Sequence, residues 1–100
     1  MALEIKENQG IFEILGKVSS QNLGALRVYF ELVLEVNENI IISLERVIEM
    51  DTSVALFFEG LYKKAAMQNK AISIVGKQNE KIARLMNDTR TDYILSADRV

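Results

Sequence analysis

Asp51, Thr52 and Ser53 put a carboxylate and two hydroxyls side by side in the stretch Met50-Asp51-Thr52-Ser53-Val54-Ala55-Leu56. A β-type run precedes the trio and an apolar repeat of helical spacing follows it, which places it at a strand-to-helix turn. Side chains of these types accept hydrogen bonds from the free amides of a helix's first turn, a cap worth about 1 kcal/mol. A hydroxyl at the same place can also carry a modification, because it lies among unpaired N–H groups at the positive end of the helix dipole. A phosphate there adds about −1.5 to −2 charge. The helix tolerates it, whereas a partner presenting acids or a tight apolar fit is rejected. The two uses are compatible: one hydroxyl can cap while another is modified.

The remaining composition argues against most catalytic chemistries. The 100-residue chain contains no cysteine and no histidine. It therefore lacks thiolate ligands and nucleophiles, the commonest general base and the commonest metal ligand. Neither a Gly-x-x-x-x-Gly-Lys-Ser/Thr loop, a Gly-x-Gly-x-x-Gly fingerprint nor a Gly-x-Ser-x-Gly elbow is present. Carboxylate pairs such as Glu45/Glu49 have the spacing of a solvated surface. The expectation is a chain that is not an enzyme, with no cofactor and no metal.

Charge is uneven. Residues 1–60 carry Lys6, Lys17, Arg27 and Arg46 against ten acids, and residues 61–100 carry eight bases against Glu80, Asp88, Asp92 and Asp98, so the halves are −6 and +4. The basic residues lack the interleaved aromatics of a single-strand platform, so no nucleic-acid partner is expected. An acidic partner protein remains compatible with them. No apolar run approaches the ~20 residues needed to span a bilayer, and the alternating, acid-bearing N-terminus is not a signal peptide. A cytosolic protein without direct membrane insertion is expected, folded as one domain over residues 1–100.

The elements that must hold the trio follow from periodicity. Residues 2–7 alternate, with Leu3 and Ile5 on one face. Asn8-Gln9-Gly10 is a turn, and residues 11–18 form a second strand in an antiparallel hairpin with the first. Asn22, or a serine just before it, caps a helix over about 23–36, whose buried face is Leu23, Leu26, Phe30 and Val33. Gly24 in its first turn is expected to permit close packing on the sheet. The run Ile40-Ile41-Ile42-Ser43-Leu44 reads as an inner strand covered on both faces. Residues 45–50 then carry the chain over the sheet edge. A second helix over about 53–68 buries Val54, Phe57, Phe58, Leu61 and Ala65, and Asn69 ends it. Residues 71–76 form another inner strand. A third helix, about 79–87, buries Ile82, Leu85 and Met86. Tyr93-Ile94-Leu95 is a short last strand, and residues 96–100 are too short to add much. The order β-β-α-β-α-β-α-β implies an α/β fold, with a mixed open sheet of about five strands and helices packed on it.

This order, taken with Leu15-Gly16-Lys17-Val18, Ile41-Ile42-Ser43-Leu44 and Val47-Ile48-Glu49-Met50-Asp51-Thr52-Ser53, resembles the STAS domain family. Ala71-Ile72-Ser73-Ile74-Val75-Gly76 and Ile82-Ala83-Arg84-Leu85-Met86 extend the match, which covers about residues 3–95. This is the fold of bacterial anti-sigma factor antagonists and of the cytosolic tail of sulfate transporters. The resemblance implies a regulatory binding module whose partner is an anti-sigma factor with serine/threonine kinase activity. It implies phosphorylation of the hydroxyl directly after the aspartate, Thr52, with Ser53 the secondary candidate. Asp51 would orient the acceptor or touch the partner. The unphosphorylated form would bind the anti-sigma factor and free the sigma factor. Ser19 stands where many members carry an acid on the partner-facing edge. Val54 stands where glycine is common, so its side chain is expected to fill space on that side. The family's usual last helix is expected to be missing or vestigial. The alternative within the same family is an accessory subunit of a lipid or anion transport assembly, docked permanently and not phosphorylated.

Overall fold

The computed structural model describes residues 2–96. Residues 97–100, expected to add no further element, lie outside the described residues.

The chain opens with a hairpin of β1 (Glu4–Asn8) and β2 (Ile11–Val18), paired antiparallel. Gln9 and Gly10 have φ of 55° and 84°. Positive φ at both central residues is the two-residue turn whose twist matches the flanking strands. Helix α1 (Leu23–Val36) leads to β3 (Asn39–Met50), helix α2 (Thr52–Met67) to β4 (Ala71–Val75), and helix α3 (Glu80–Asp88) follows. The sheet order is β1-β2-β3-β4, with β3 parallel to both β2 and β4. Right-handed crossovers that step twice in one direction place α1 and α2 on the same face of the sheet. There Phe12, Phe30 and Phe58 meet edge to face, with ring centroids 6.1 and 6.2 Å apart, a preferred aromatic geometry. Ile14, Leu26, Ile42, Leu44 and Ile74 fill the same core.

Several expectations need correction. Residues 45–50 do not leave the sheet: β3 continues through Met50, paired with β2 as far as Val18. Register shifts between Glu13 and Leu15 and between Gly16 and Lys17 each insert an extra residue on the β3 side. These bulges change the phase of β3, so its buried positions Leu44, Val47 and Met50 recur every third residue, which hides a strand from a period-two reading. Nor is β3 covered on both faces, since Ile41 and Ser43 are only half-buried. Strand β4 is an edge of the four-stranded sheet, with Ala71 and Ser73 exposed. The expected last strand shrinks to a 3-10 turn, Asp92–Ile94, and one parallel bridge between Ile74 and Leu95. Gly24 faces solvent, with nothing within 4 Å of where a Cβ would stand.

The C-terminal end of α2 follows its sequence signal. Asn69 (φ 59°) closes α2, with Lys70 N–H bonding to Ala65 O at 2.8 Å and Asn69 N–H to Ala66 O at 3.1 Å. That pair of bonds is the Schellman arrangement.

Candidate functional site

The residue after Met50 turns the chain out of β3 and into α2. Asp51 is extended (φ −99°, ψ 172°) and is the N-cap of α2. Its Oδ1 accepts from Val54 N–H at 3.2 Å, the bond that defines an N-cap. The same oxygen accepts from the Ser53 hydroxyl at 2.6 Å. Its Oδ2 reaches across to the loop after β2 and accepts from Ser20 N–H at 2.9 Å. One carboxylate therefore ties the start of α2 to the start of the segment that leads into α1.

These donors also set its charge state. The Ser53 hydroxyl is the largest influence and holds the Asp51 carboxyl below the usual carboxylate range; burial, the next largest, opposes it, and the amides of Ser20, Val54 and Ser53 add to the lowering. Asp51 is ionised at neutral pH.

The three residues of the trio have different surroundings. Ser53 is half-buried and donates its hydroxyl to Asp51. Thr52, the first residue of the helix, is exposed, and no hydrogen bond of the cluster uses its hydroxyl. Ser19 lies one residue from the amide that Asp51 holds. It caps the 3-10 turn Ser20–Asn22: its hydroxyl accepts from Gln21 N–H at 3.3 Å, and its own N–H donates to Asn22 Oδ1 at 2.9 Å. Ser19 thus caps the 3-10 turn and not α1, whose own N-cap, Asn22, makes no side-chain cap hydrogen bond to it.

Val54 is elsewhere. Its exposure is 0%, and it belongs to the core cluster together with Ala55 and Phe58. The third position of α2 faces inward, so the valine side chain packs inside the protein and does not fill space on the outer side of the turn. Asp51, Thr52, Ser53 and the Ser19–Ser20 loop form one surface, and Val54 lies beneath it.

Two long-range contacts had no sequence signal. The Ser20 amide is a backbone group, and nothing in a serine announces that its N–H will meet a carboxylate 31 residues away. Asn79, the N-cap of α3, accepts from Ile82 N–H at 3.5 Å. Its Nδ2 donates to the carbonyls of Leu44, Glu45 and Val47 at 3.0, 3.2 and 2.9 Å. Those carbonyls flank the first bulge of β3, where the ladder is interrupted. Asn79 supplies the missing donors and so fixes the strand that delivers Asp51.

The model of the STAS domain family matches residues 1–96. The chain belongs to the STAS domain family. Among solved structures, this STAS domain is similar to the anti-sigma factor antagonist SpoIIAA in its unphosphorylated form. The TM-score is 0.74 at 12% identity, covering 95% of this chain and 86% of that one. It is also similar to a protein of the DUF3478 family with a SpoIIAA-like fold from Shewanella loihica PV-4, with a TM-score of 0.50 at 19% identity over 86% of this chain and 76% of that chain. At such identities the likeness is one of fold. No curated protein matches this STAS domain. Among the described residues no helix is long and apolar enough to cross a membrane.

Proposed function

We propose that this STAS domain is a cytosolic protein-binding module of the anti-sigma factor antagonist type, switched by phosphorylation of Thr52. The observation that carries the reading is the division of labour in the trio. Asp51 caps, Ser53 is engaged by Asp51, and Thr52 alone offers an exposed hydroxyl outside the network.

The mechanism is exclusion, not turnover. A phosphate on Thr52 lies at the positive end of α2, which favours its charge. It also lies beside the ionised Asp51, so the surface changes from one negative charge to about −2.5 to −3 while the fold beneath is kept. An anti-sigma factor with kinase activity would dock over Asp51, Thr52, Ser53 and the Ser19 edge, and would be expelled once it had transferred phosphate. Val54 contributes from within, by anchoring the first turn of α2.

The test incubates the protein with an anti-sigma kinase and ATP, then maps the phosphate and measures binding. The reading expects one phosphate per chain, on Thr52, and loss of binding both for that form and for Thr52→Glu. Undiminished binding by Thr52→Glu would falsify the switch. Copurification with a membrane transporter and no detectable phosphate would favour the accessory-subunit alternative.

A further inference from the structure

Helix α1 carries an apolar stripe on its outer side. Val28, Leu32 and Val36 are 62%, 59% and 80% exposed. They follow one another at four-residue steps, and Gly24, also exposed, extends the line one step earlier. Rows of side chains at this spacing are the ridges by which helices pack against helices. The other exposed large apolar residues among those described, Ile48, Leu56, Met67 and Tyr93, are scattered over β3, α2 and the segment after α3.

The charges beside the stripe run the wrong way for an isolated helix. Arg27 is in its N-terminal half, and Glu31 and Glu35 are in its C-terminal half. No acid occupies the first turn and no base the last. The helix dipole favours the reverse distribution. Glu31 has a partner in Lys64 at 3.3 Å. Arg27 and Glu35 have no ion pair among the described residues.

We propose that this face is the interface of a homodimer in which two copies of α1 pack antiparallel about a two-fold axis. With the axis midway between Val28 and Leu32, Val28 lies opposite Leu32 of the partner subunit, and Gly24 lies opposite Val36 of the partner subunit. Arg27 then falls between Glu31 and Glu35 of the partner subunit. The glycine leaves room where the valine arrives. Each charge that opposes its own helix dipole meets its complement, and the two helix dipoles are themselves antiparallel. A two-fold interface requires such self-complementarity, because every contact occurs twice. An unrelated partner has no need of it. A single pair of 14-residue helices gives a contact at the small end of specific interfaces, so the dimer is of the weak, micromolar kind.

The arrangement has a functional consequence that does not depend on the phosphorylation reading. The segment leading into α1 is tied to Asp51 through Ser20. Antiparallel helices of about 21 Å therefore put the two Asp51 surfaces at opposite ends of the dimer. Both stay open, and the assembly is bivalent.

The experiment is sedimentation velocity on the full chain from low micromolar to several hundred micromolar. The mass should rise from 11.3 kDa toward twice that value. Leu32→Glu should hold the monomer mass throughout with an unchanged circular dichroism spectrum. Arg27→Glu should weaken association tenfold or more, and mixing it with Glu35→Arg should recover a heterodimer. Orientation is read by oxidation. The chain has no cysteine of its own, so a mixture of Val28→Cys and Leu32→Cys should cross-link faster than either variant with itself, given the short Cα separation a disulfide needs. A wild-type chain that stays monomeric overturns the proposal and leaves the stripe to a different protein. Dimerisation insensitive to Leu32→Glu, or faster self-linking of Val28→Cys, overturns it equally.

Discussion

Two helices of this protein begin in nearly the same way and differ in what they leave exposed. Helix α2 starts on Asp51 and α3 on Asn79, and each cap accepts from the amide three residues on. Each also reaches to a distant part of the chain. Asp51 accepts from the Ser20 amide, whereas Asn79 donates to three carbonyls of β3. The carboxylate can only accept, and the amide does both. At Asn79 the reach is inward, to a bulged strand. At Asp51 it is along the surface, and it leaves one hydroxyl, that of Thr52, facing solvent. Capping accounts for both residues. Function is to be sought in what the cap at Asp51 presents beside it.

The comparison breaks most sharply if the two caps exchange chemistry. Asn79→Asp keeps the cap acceptor but turns a donor facing three carbonyls into an anion facing them. The expected cost is about 3 kcal/mol, a fall in Tm of more than about 10 °C, measured by thermal or urea unfolding. Asp51→Ala removes a cap and the tie to Ser20, for an expected loss of about 1–2 kcal/mol. Equal losses at the two sites would erase the distinction between an inward and a surface cap.

Acid sharpens the contrast. The folded-state carboxyl of Asp51 is held low, first by Ser53, so its stabilising contribution is fully present above the unfolded value of about 4. That contribution is lost as pH falls through the lowered folded value. The stability gap between the wild type and Asp51→Asn should therefore be widest at neutral pH and should narrow as the pH falls below about 4. Unfolding curves across that range check it. The smallest effects belong to the hydroxyls. Ser53→Ala should cost about 1 kcal/mol through its lost bond to Asp51, and Thr52→Ala less than about 0.5 kcal/mol, as for an exposed residue outside any network.

The sequence made local features legible and long-range ones not. Gln9-Gly10 announced its turn, Asn69 its helix end, and Leu26, Phe30, Phe58 and Ile82 their buried faces, because each depends on neighbours within one or two turns. The second half of β3 was hidden because two bulges replace the period of two by one of three. The segment around Tyr93-Ile94-Leu95 was composed like a strand, yet it makes a single bridge. The trio Asp51-Thr52-Ser53 was legible as a polar start to a helix, and the STAS resemblance gave it a place in the fold. The role of each hydroxyl was not legible, since it depends on which one Asp51 captures. Val54 was legible from its spacing as part of the buried face of α2, and because it is fully buried there none of it is left to fill space on the outer side of the turn. Val28, Leu32 and Val36 fell outside the buried face of α1 from the beginning, and the structure leaves them on the surface.

Phosphate mapping after exposure to an anti-sigma kinase and ATP tests the central claim most directly. The account predicts one phosphate per chain on Thr52, none on Ser53, and loss of modification in Thr52→Ala but not in Ser53→Ala. Phosphate carried on Ser53 while Thr52 stays unmodified would contradict it.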